Sequence, residues 1–144
     1  MADWAPTTAQ VAAIVADHTY RDEATVEDVN SIVADFTDDT TPRGDQVDPL
    51  ILQAVTETAP HITGEPSEAI AALATLASAR RAAMLVMFSY FSESIGEGDG
   101  YDALRQLWLD ALGGLDAAQG DTNQTSRGIY SLRIHSGTYP DAAA

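Results

Sequence analysis

Apolar residues recur at helical spacing near the start of the chain, in the stretch TTAQVAAIVADH at positions 7–18. The residues that share one helical face are Val11, Ile14, Val15 and His18. Thr7 and Gln10 stand three positions apart at the beginning of this stretch, which is the spacing of a capping box. The pattern predicts a short amphipathic helix over about residues 8–18.

Residues 19–41 carry two competing patterns. Val26, Val29, Val33 and Phe36 fit a helical stripe, whereas SIVADF at 31–36 also suits a short strand. We therefore expect irregular structure with one short element in this region.

The next apolar stripe contains two prolines, and it predicts a helix that begins near residue 45 and ends before Pro60. Proline has no N–H and clashes with the preceding helical turn, so it is best tolerated at the first helical position. This favours Asp48 as the N-cap with Pro49 directly after it. The alternative is a start at Asp45 with a distorted first turn.

The longest helical pattern follows the breaker residues Gly64 and Pro66, and it predicts a central helix over about 67–94 with Ser67 as its cap. The expected core residues are Ile70, Leu73, Ala77, Met84, Met87, Phe88 and Phe91. The stretch MLVMFSYF at 84–91 is apolar nearly all round, so several neighbouring helices must cover it.

A fourth helix is predicted over YDALRQLWLDALGGLDAAQ at 101–119, capped by Asp99. Its expected core face is Tyr101, Leu104, Trp108, Leu112 and Leu115. The pair Gly113-Gly114 either ends this helix or only weakens it.

The C-terminal stretch differs from the rest of the chain, because a polar linker leads into GIYSLRIHSGTYP, where apolar and polar residues alternate as in a strand. Such a strand must pair with the 31–36 segment, with another chain or with nothing. The predicted fold is therefore mainly α: a small helical bundle over residues 1–120 around one long central helix, with an extended C-terminal arm over 121–144.

The net charge of the chain argues against one class of function, the binding of nucleic acid. The chain holds 22 acidic residues against seven arginines and no lysine, for a net charge of −15, so binding of nucleic acid through a basic surface is not expected.

The chain has no Cys, and no uninterrupted apolar run reaches the roughly 18 residues of a membrane span. The N-terminus lacks the basic and apolar regions of a secretory signal. We expect a soluble product made in the cytoplasm, without disulfides or membrane contact.

No catalytic or metal-binding constellation is evident in the sequence. The histidines His18, His61 and His135 lie in three different elements, and Pro60 interrupts the helical spacing of Glu57 and His61. The aspartates near residues 38–48 lack EF-hand spacing, and GEGDG at 96–100 is typical of a helix end. We expect neither a cofactor nor a metal, and we do not expect an enzyme.

The pair Arg80-Arg81 stands mid-helix between apolar stretches, which favours an ion pair with a neighbouring helix or subunit over ligand anchoring. The full set of residues expected at a partner or subunit interface is Arg80, Arg81, Ile129, Tyr130, Leu132, Arg133, Ile134 and Tyr139.

The order of motifs over residues 7–118 resembles the head–tail connector (adaptor) proteins of tailed bacteriophages, especially those of actinobacterial hosts. The resemblance rests on VAAIV, then F-T-x-x-T-x-P, a Q-V pair, S-Y-F-x-E and Y-D-x-L. The matching residues are Phe36, Thr37, Thr40, Pro42, Gln46, Val47, Ser89, Tyr90, Phe91, Glu93, Tyr101, Asp102 and Leu104. Arg43 and Pro49 depart from the pattern, because many relatives have Thr after the first proline and no proline in the following helix.

This resemblance implies a virion structural protein at the head–tail interface. It would form a homo-oligomeric ring, expected to be twelvefold, beneath the portal protein. The ring would continue the DNA channel and dock the next head-completion, stopper or tail protein, with DNA passing through unbound. Two other classes stay open: an acidic helical regulatory module that mimics DNA, and a helical-bundle enzyme with an unrecognised site.

Overall fold

A computed structural model describes residues 2–19, 32–93 and 100–122 of the chain. The elements in these ranges are α1 (Thr8–Ile14), a 3₁₀ turn (Ala16–His18), α2 (Gly44–Thr58), a second 3₁₀ turn (Ala59–His61), α3 (Glu68–Tyr90) and α4 (Gly100–Thr122). The described residues contain no β-strand. The predicted fold class, a mainly α bundle around one long central helix, is confirmed.

Helix α3 is the centre of the bundle because it packs against α1, α2 and α4. Its predicted cap is confirmed, since the Ser67 hydroxyl accepts a hydrogen bond from the Ile70 N–H at 3.2 Å. Small residues in its middle let the neighbouring helices approach closely, and Ala74, Ala77, Ala82 and Ala83 are fully buried. The helix ends at Tyr90 rather than at the predicted residue 94.

One predicted core residue of α3 is exposed. The Phe88 side chain is 65% exposed, although Met84 and Met87 beside it are buried. A helix that is apolar all round has no polar side to mark its exposed face, so the spacing of apolar residues could not exclude Phe88.

The N-terminal helix has the predicted capping box. The Thr7 hydroxyl accepts from the Gln10 N–H at 3.1 Å, and the Gln10 side chain accepts from the Thr7 N–H at 2.8 Å. The α-helix is shorter than predicted, ending at Ile14 and continuing as a 3₁₀ turn to His18. Val11 and Val15 are buried against the rest of the bundle.

The favoured start of α2, with Asp48 as the N-cap, is wrong, and the alternative start at Asp45 lies one residue from the observed one. The helix begins at Gly44 after Arg43, so Pro49 lies inside it. Arg43 has no side-chain acceptor, but its N–H donates to the Gln46 side chain at 2.9 Å, which is the reciprocal half of a capping box. Pro49 therefore costs the helix one backbone hydrogen bond, to the carbonyl of Asp45.

Helix α4 runs through the glycine pair, since Gly113 and Gly114 both lie inside Gly100–Thr122. A Cβ on either glycine would meet no atom within 4 Å apart from the nearby backbone of α4 itself. Leu104, Ala111, Leu115 and Gln119 form the buried stripe, and Trp108 packs partly buried beside it.

By length and composition alone, α3 is the one helix of the described chain that is long and apolar enough to cross a membrane. Half of the 18-residue stretch of α3 that meets this criterion is buried inside the bundle. The core helix of a soluble protein meets the same criterion.

Candidate functional site

The residues of the F-T-x-x-T-x-P motif form one tightly hydrogen-bonded loop before α2. Thr40 is fully buried, and its hydroxyl accepts from the Thr37 N–H at 2.9 Å and lies 2.7 Å from the Pro42 carbonyl, to which it donates. Phe36 is buried in the hydrophobic core, and Pro42 follows a cis peptide bond. The motif is thus a packing unit, with its hydroxyl oriented inward rather than toward a ligand.

Gly44 couples this loop to the start of α2. Its N–H donates to the Thr37 carbonyl at 3.2 Å, and a Cβ at Gly44 would lie 2.7 Å from the Phe36 carbonyl oxygen. Only glycine fits this close backbone approach without a shift. The loop therefore positions the first turn of α2, and Val47 of the motif is fully buried one turn later.

The S-Y-F-x-E motif lies where α3 ends. Ser89, Tyr90 and Glu93 are exposed, and Phe88 beside them is the most exposed large apolar side chain of the described surface. Phe91 turns back toward the bundle, where its ring meets the His18 ring edge-on with centroids 4.6 Å apart. We call Phe88, Ser89 and Tyr90 the α3 tip.

An open groove lies between the end of α1, α3 and the start of α4. Its volume is about 320 Å³, and its apolar lining includes Ile14, Val15, Met87, Tyr101, Leu104 and Leu107. Asp17 and His18 add the polar side chains, joined by a 3.0 Å contact between Oδ1 and Nδ1. We call this feature the α1–α4 groove.

Arg81 connects three helices. From α3 its Nε donates to the Glu57 carboxylate of α2 at 2.6 Å, and its guanidinium carbon lies 4.8 Å from the ring centroid of Trp108 on α4. The expected pairing of this arginine pair with a carboxylate on a neighbouring helix is therefore present within the chain.

The environment of Glu57 shifts its ionisation. Partial burial acts to raise the pKa of Glu57, but hydrogen bonds from Arg81 and Gln53, together with the charge of Arg81, outweigh it and lower the pKa. Glu57 is thus held as a carboxylate by structural partners, which suits an inter-helix contact.

Arg80 is also engaged inside the chain, because its Nη1 donates to the Leu107 carbonyl of α4 at 2.8 Å. A role for Arg80 and Arg81 at a subunit interface stays a prediction. The remaining predicted interface residues, Ile129, Tyr130, Leu132, Arg133, Ile134 and Tyr139, lie outside the described residues.

Gln119 fixes the connection between α2 and α3, and sequence reasoning missed it. Its side-chain oxygen accepts from the Thr63 N–H at 2.7 Å, and its Nε2 donates to the His61 carbonyl. His61 also lies 3.2 Å from Asp116. The available signal was spacing: Gln119 follows Leu115 by four residues and so continues the apolar stripe of α4.

The described residues bring no three His, Asp or Glu side chains together in a way that could hold a metal ion. Glu57 and His61, which stand four positions apart in the sequence, contact different partners, Arg81 and Asp116. Two apolar features of the described surface are the α3 tip and the α1–α4 groove.

The chain matches no protein-family model, no curated protein and no solved structure.

Proposed function

We propose that this chain is a structural head–tail connector of a tailed bacteriophage, which forms a ring on the portal of the filled head. The ring continues the DNA channel and presents a docking surface to the next head-completion or tail protein. The order of the motifs F-T-x-x-T-x-P, S-Y-F-x-E and Y-D-x-L supports this assignment.

The observation that carries the proposal is the exposed aromatic end of the central helix. Phe88 is 65% exposed and directly precedes the S-Y-F-x-E motif of the resemblance, and Tyr90, which belongs to that motif, is 38% exposed. Aromatic side chains that are exposed to water in a single copy favour association, because a second surface that covers them removes their apolar area from water. A ring subunit needs such self-contacts, so we assign the α3 tip to the contact with the next copy.

Further apolar side chains are exposed on α3 itself and on the other two long helices. They are Leu52 on α2, Leu76 on α3, and Leu107 and Leu109 on α4. A ring subunit contacts a neighbour on each side and the portal above it, so apolar exposure on several faces favours a ring over a simple two-fold dimer.

The net charge of −15 agrees with a channel through which DNA slides. Carboxylates that line a bore repel the phosphate backbone and prevent sticking. We expect the lumen of the ring to be acidic, and a neutral or basic lumen with all acids outside would count against this part of the proposal.

A single substitution at the α3 tip tests the proposal. Phe88→Asp removes the exposed ring and adds a charge, and we expect the variant to keep wild-type helicity because Phe88 packs little within the chain. We expect it to lose ring formation, measured as particle mass by mass photometry with and without the portal protein of the same genome.

Ala72→Asp is the matched control, because Ala72 is exposed on the same helix and the substitution adds the same charge. We expect this control to form rings as the wild type does. A Phe88→Asp chain that is folded and still assembles normally would overturn the assignment of the α3 tip.

The runner-up is an acidic module that mimics DNA and blocks a basic protein. It predicts a monomer or dimer in every mixture with the portal protein, and the same mass measurement separates it from the connector.

A further inference from the structure

One flank of α4 carries leucines that the bundle does not fully cover. Leu109 is 38% exposed, and Leu112 is only partly buried, although the spacing of apolar residues predicts it in the core. The buried stripe of α4 runs through Leu104, Ala111 and Leu115, roughly 100° away around the helix axis. Leu109 and Leu112 therefore lie beside the core of the bundle rather than within it.

Two side chains of opposite charge stand at the ends of this flank. Arg105 and Asp116 are eleven positions apart, which is close to three full helical turns, so they lie on the same side of α4 as Leu109 and Leu112. Both charged residues are exposed. We call Arg105, Leu109, Leu112 and Asp116 the α4 face. The charges of these four residues cancel, whereas the chain as a whole has a net charge of −15.

Both charged side chains of the α4 face are available to a partner. Arg80 and Arg81 donate to acceptors on neighbouring helices, whereas the described part of the chain offers Arg105 no hydrogen bond or ion pair. Asp116 contacts His61 through Oδ1 at 3.2 Å, but its side chain remains 56% exposed. A carboxylate accepts from several donors, so Asp116 can also bind an arginine.

The order of these residues along α4 is complementary to itself. The midpoint between Arg105 and Asp116 is also the midpoint between Leu109 and Leu112. When two copies of α4 lie antiparallel about this midpoint, Arg105 of each copy is level with Asp116 of the other. The four leucines then meet between two ion pairs, so the same contact satisfies the charges and covers the apolar side chains.

We infer that the α4 face binds the α4 face of a second copy, with the two helices antiparallel and a two-fold axis between them. Packed helices approach to about 8–10 Å between their axes, which brings the leucines into contact and each arginine within reach of a carboxylate. Such a contact closes with two copies, so it goes beyond the proposed ring and describes the chain free of the portal. It shares no residue with the α3 tip.

Charge reversal tests the pairing in the full chain without the portal protein. Arg105→Asp places two like-charge contacts in the pair, and Asp116→Arg does the same. We expect each variant alone to dimerise at least about tenfold more weakly than the wild type. Mixed in equal amounts, the two variants should form a heterodimer, because each reversed charge then faces its opposite. Sedimentation velocity over a dilution series measures the dimer fraction, and native mass spectrometry identifies the heterodimer by its mass.

Asp110→Arg is the matched control. It makes the same charge change at an exposed position of α4, about a third of a turn from Asp116, and we expect this variant to dimerise as the wild type does. Leu109→Asp is a second disruption that keeps both residues of the ion pair, and we expect it to be monomeric. Circular dichroism checks that every variant keeps wild-type helicity.

A wild-type chain that stays monomeric through the dilution series overturns the pairing. So does a mixture of Arg105→Asp and Asp116→Arg chains that forms no heterodimer. An Asp110→Arg chain that dissociates as readily as Asp116→Arg also overturns it, because net charge and not the register of the α4 face would then govern association. All of these measurements omit the portal protein, so the proposed ring is tested separately by the mass of its complex with the portal.

Discussion

At the scale of single residues, Arg81 is the side chain through which α2, α3 and α4 meet. Its ion pair with Glu57 is partly buried, with side-chain exposures of 22% for Arg81 and 34% for Glu57. Such a pair is weakly screened by solvent, and removing one partner leaves the other charge poorly compensated.

The pH dependence of folding reports on this pair. Because the pKa of Glu57 is lowered in the folded chain, its contribution to stability is fully present above the unfolded pKa of about 4.3 and is lost as pH falls through the lower, folded pKa. We expect Glu57→Gln to lower the free energy of unfolding at neutral pH by on the order of 1 kcal/mol. The difference from wild type should shrink as pH falls below about 4.

Chemical denaturation at several pH values measures this difference. Glu65→Gln is the control, because Glu65 is exposed and lies outside the helices. A Glu57→Gln difference that stays constant across the acidic range would show that the ionised carboxylate is not what stabilises this contact.

Ser78 carries a buried hydroxyl without a hydrogen-bond partner in the described structure. A buried polar atom left unsatisfied costs free energy, so Ser78→Ala should stabilise the bundle by about 1 kcal/mol. Ser89→Ala is the matched control, since Ser89 is exposed near the end of the same helix and gains only helix propensity. Equal melting midpoints of the two variants would rule out a cost at Ser78.

At the scale of elements, the two glycine environments of the bundle predict opposite effects of alanine. Gly113 and Gly114 lie inside α4 with open space around them, so replacing both with alanine should raise the free energy of unfolding by about 1 to 2 kcal/mol. Urea denaturation measures the change.

Gly44→Ala is the contrasting substitution. Its Cβ would lie 2.7 Å from the Phe36 carbonyl oxygen, so we expect a loss of about 1 to 3 kcal/mol in the same experiment. A stabilised Gly44→Ala chain would mean that the loop before α2 is not held against the helix as described.

The elements also show which parts of the fold could be predicted from the sequence. The capping box of α1 and the start of α3 at Ser67 were predictable because a cap is a local arrangement of a few residues. The choice between the two possible starts of α2 was not predictable, because the contact of Gly44 with Phe36 and the cap at Gln46 outweigh the local preference of Pro49.

The candidate site was predictable only in part, for a related reason. The motif residues and Arg81 stand out in the sequence, but which apolar residues remain exposed depends on where the neighbouring helices end. Phe88 lies in a helix that is apolar on every side, so its exposure could be seen only in the assembled bundle. The groove likewise arises from three elements that are distant in sequence.

At the scale of the whole molecule, the bundle combines a strong negative charge with large apolar side chains exposed on three helices. Like charges oppose the association of copies, so an assembly of this chain needs apolar contacts to offset the repulsion. The α3 tip offers such contacts, which is why the proposed function is one of assembly.

The mass of the complex formed with the portal protein of the same genome tests this proposal most directly. Mass photometry or native mass spectrometry of the purified portal ring, with the chain in excess, measures how many copies bind. We expect a single closed ring with one copy of this chain for each portal subunit. A portal ring whose mass stays unchanged while the chain remains a monomer or dimer would contradict the connector function.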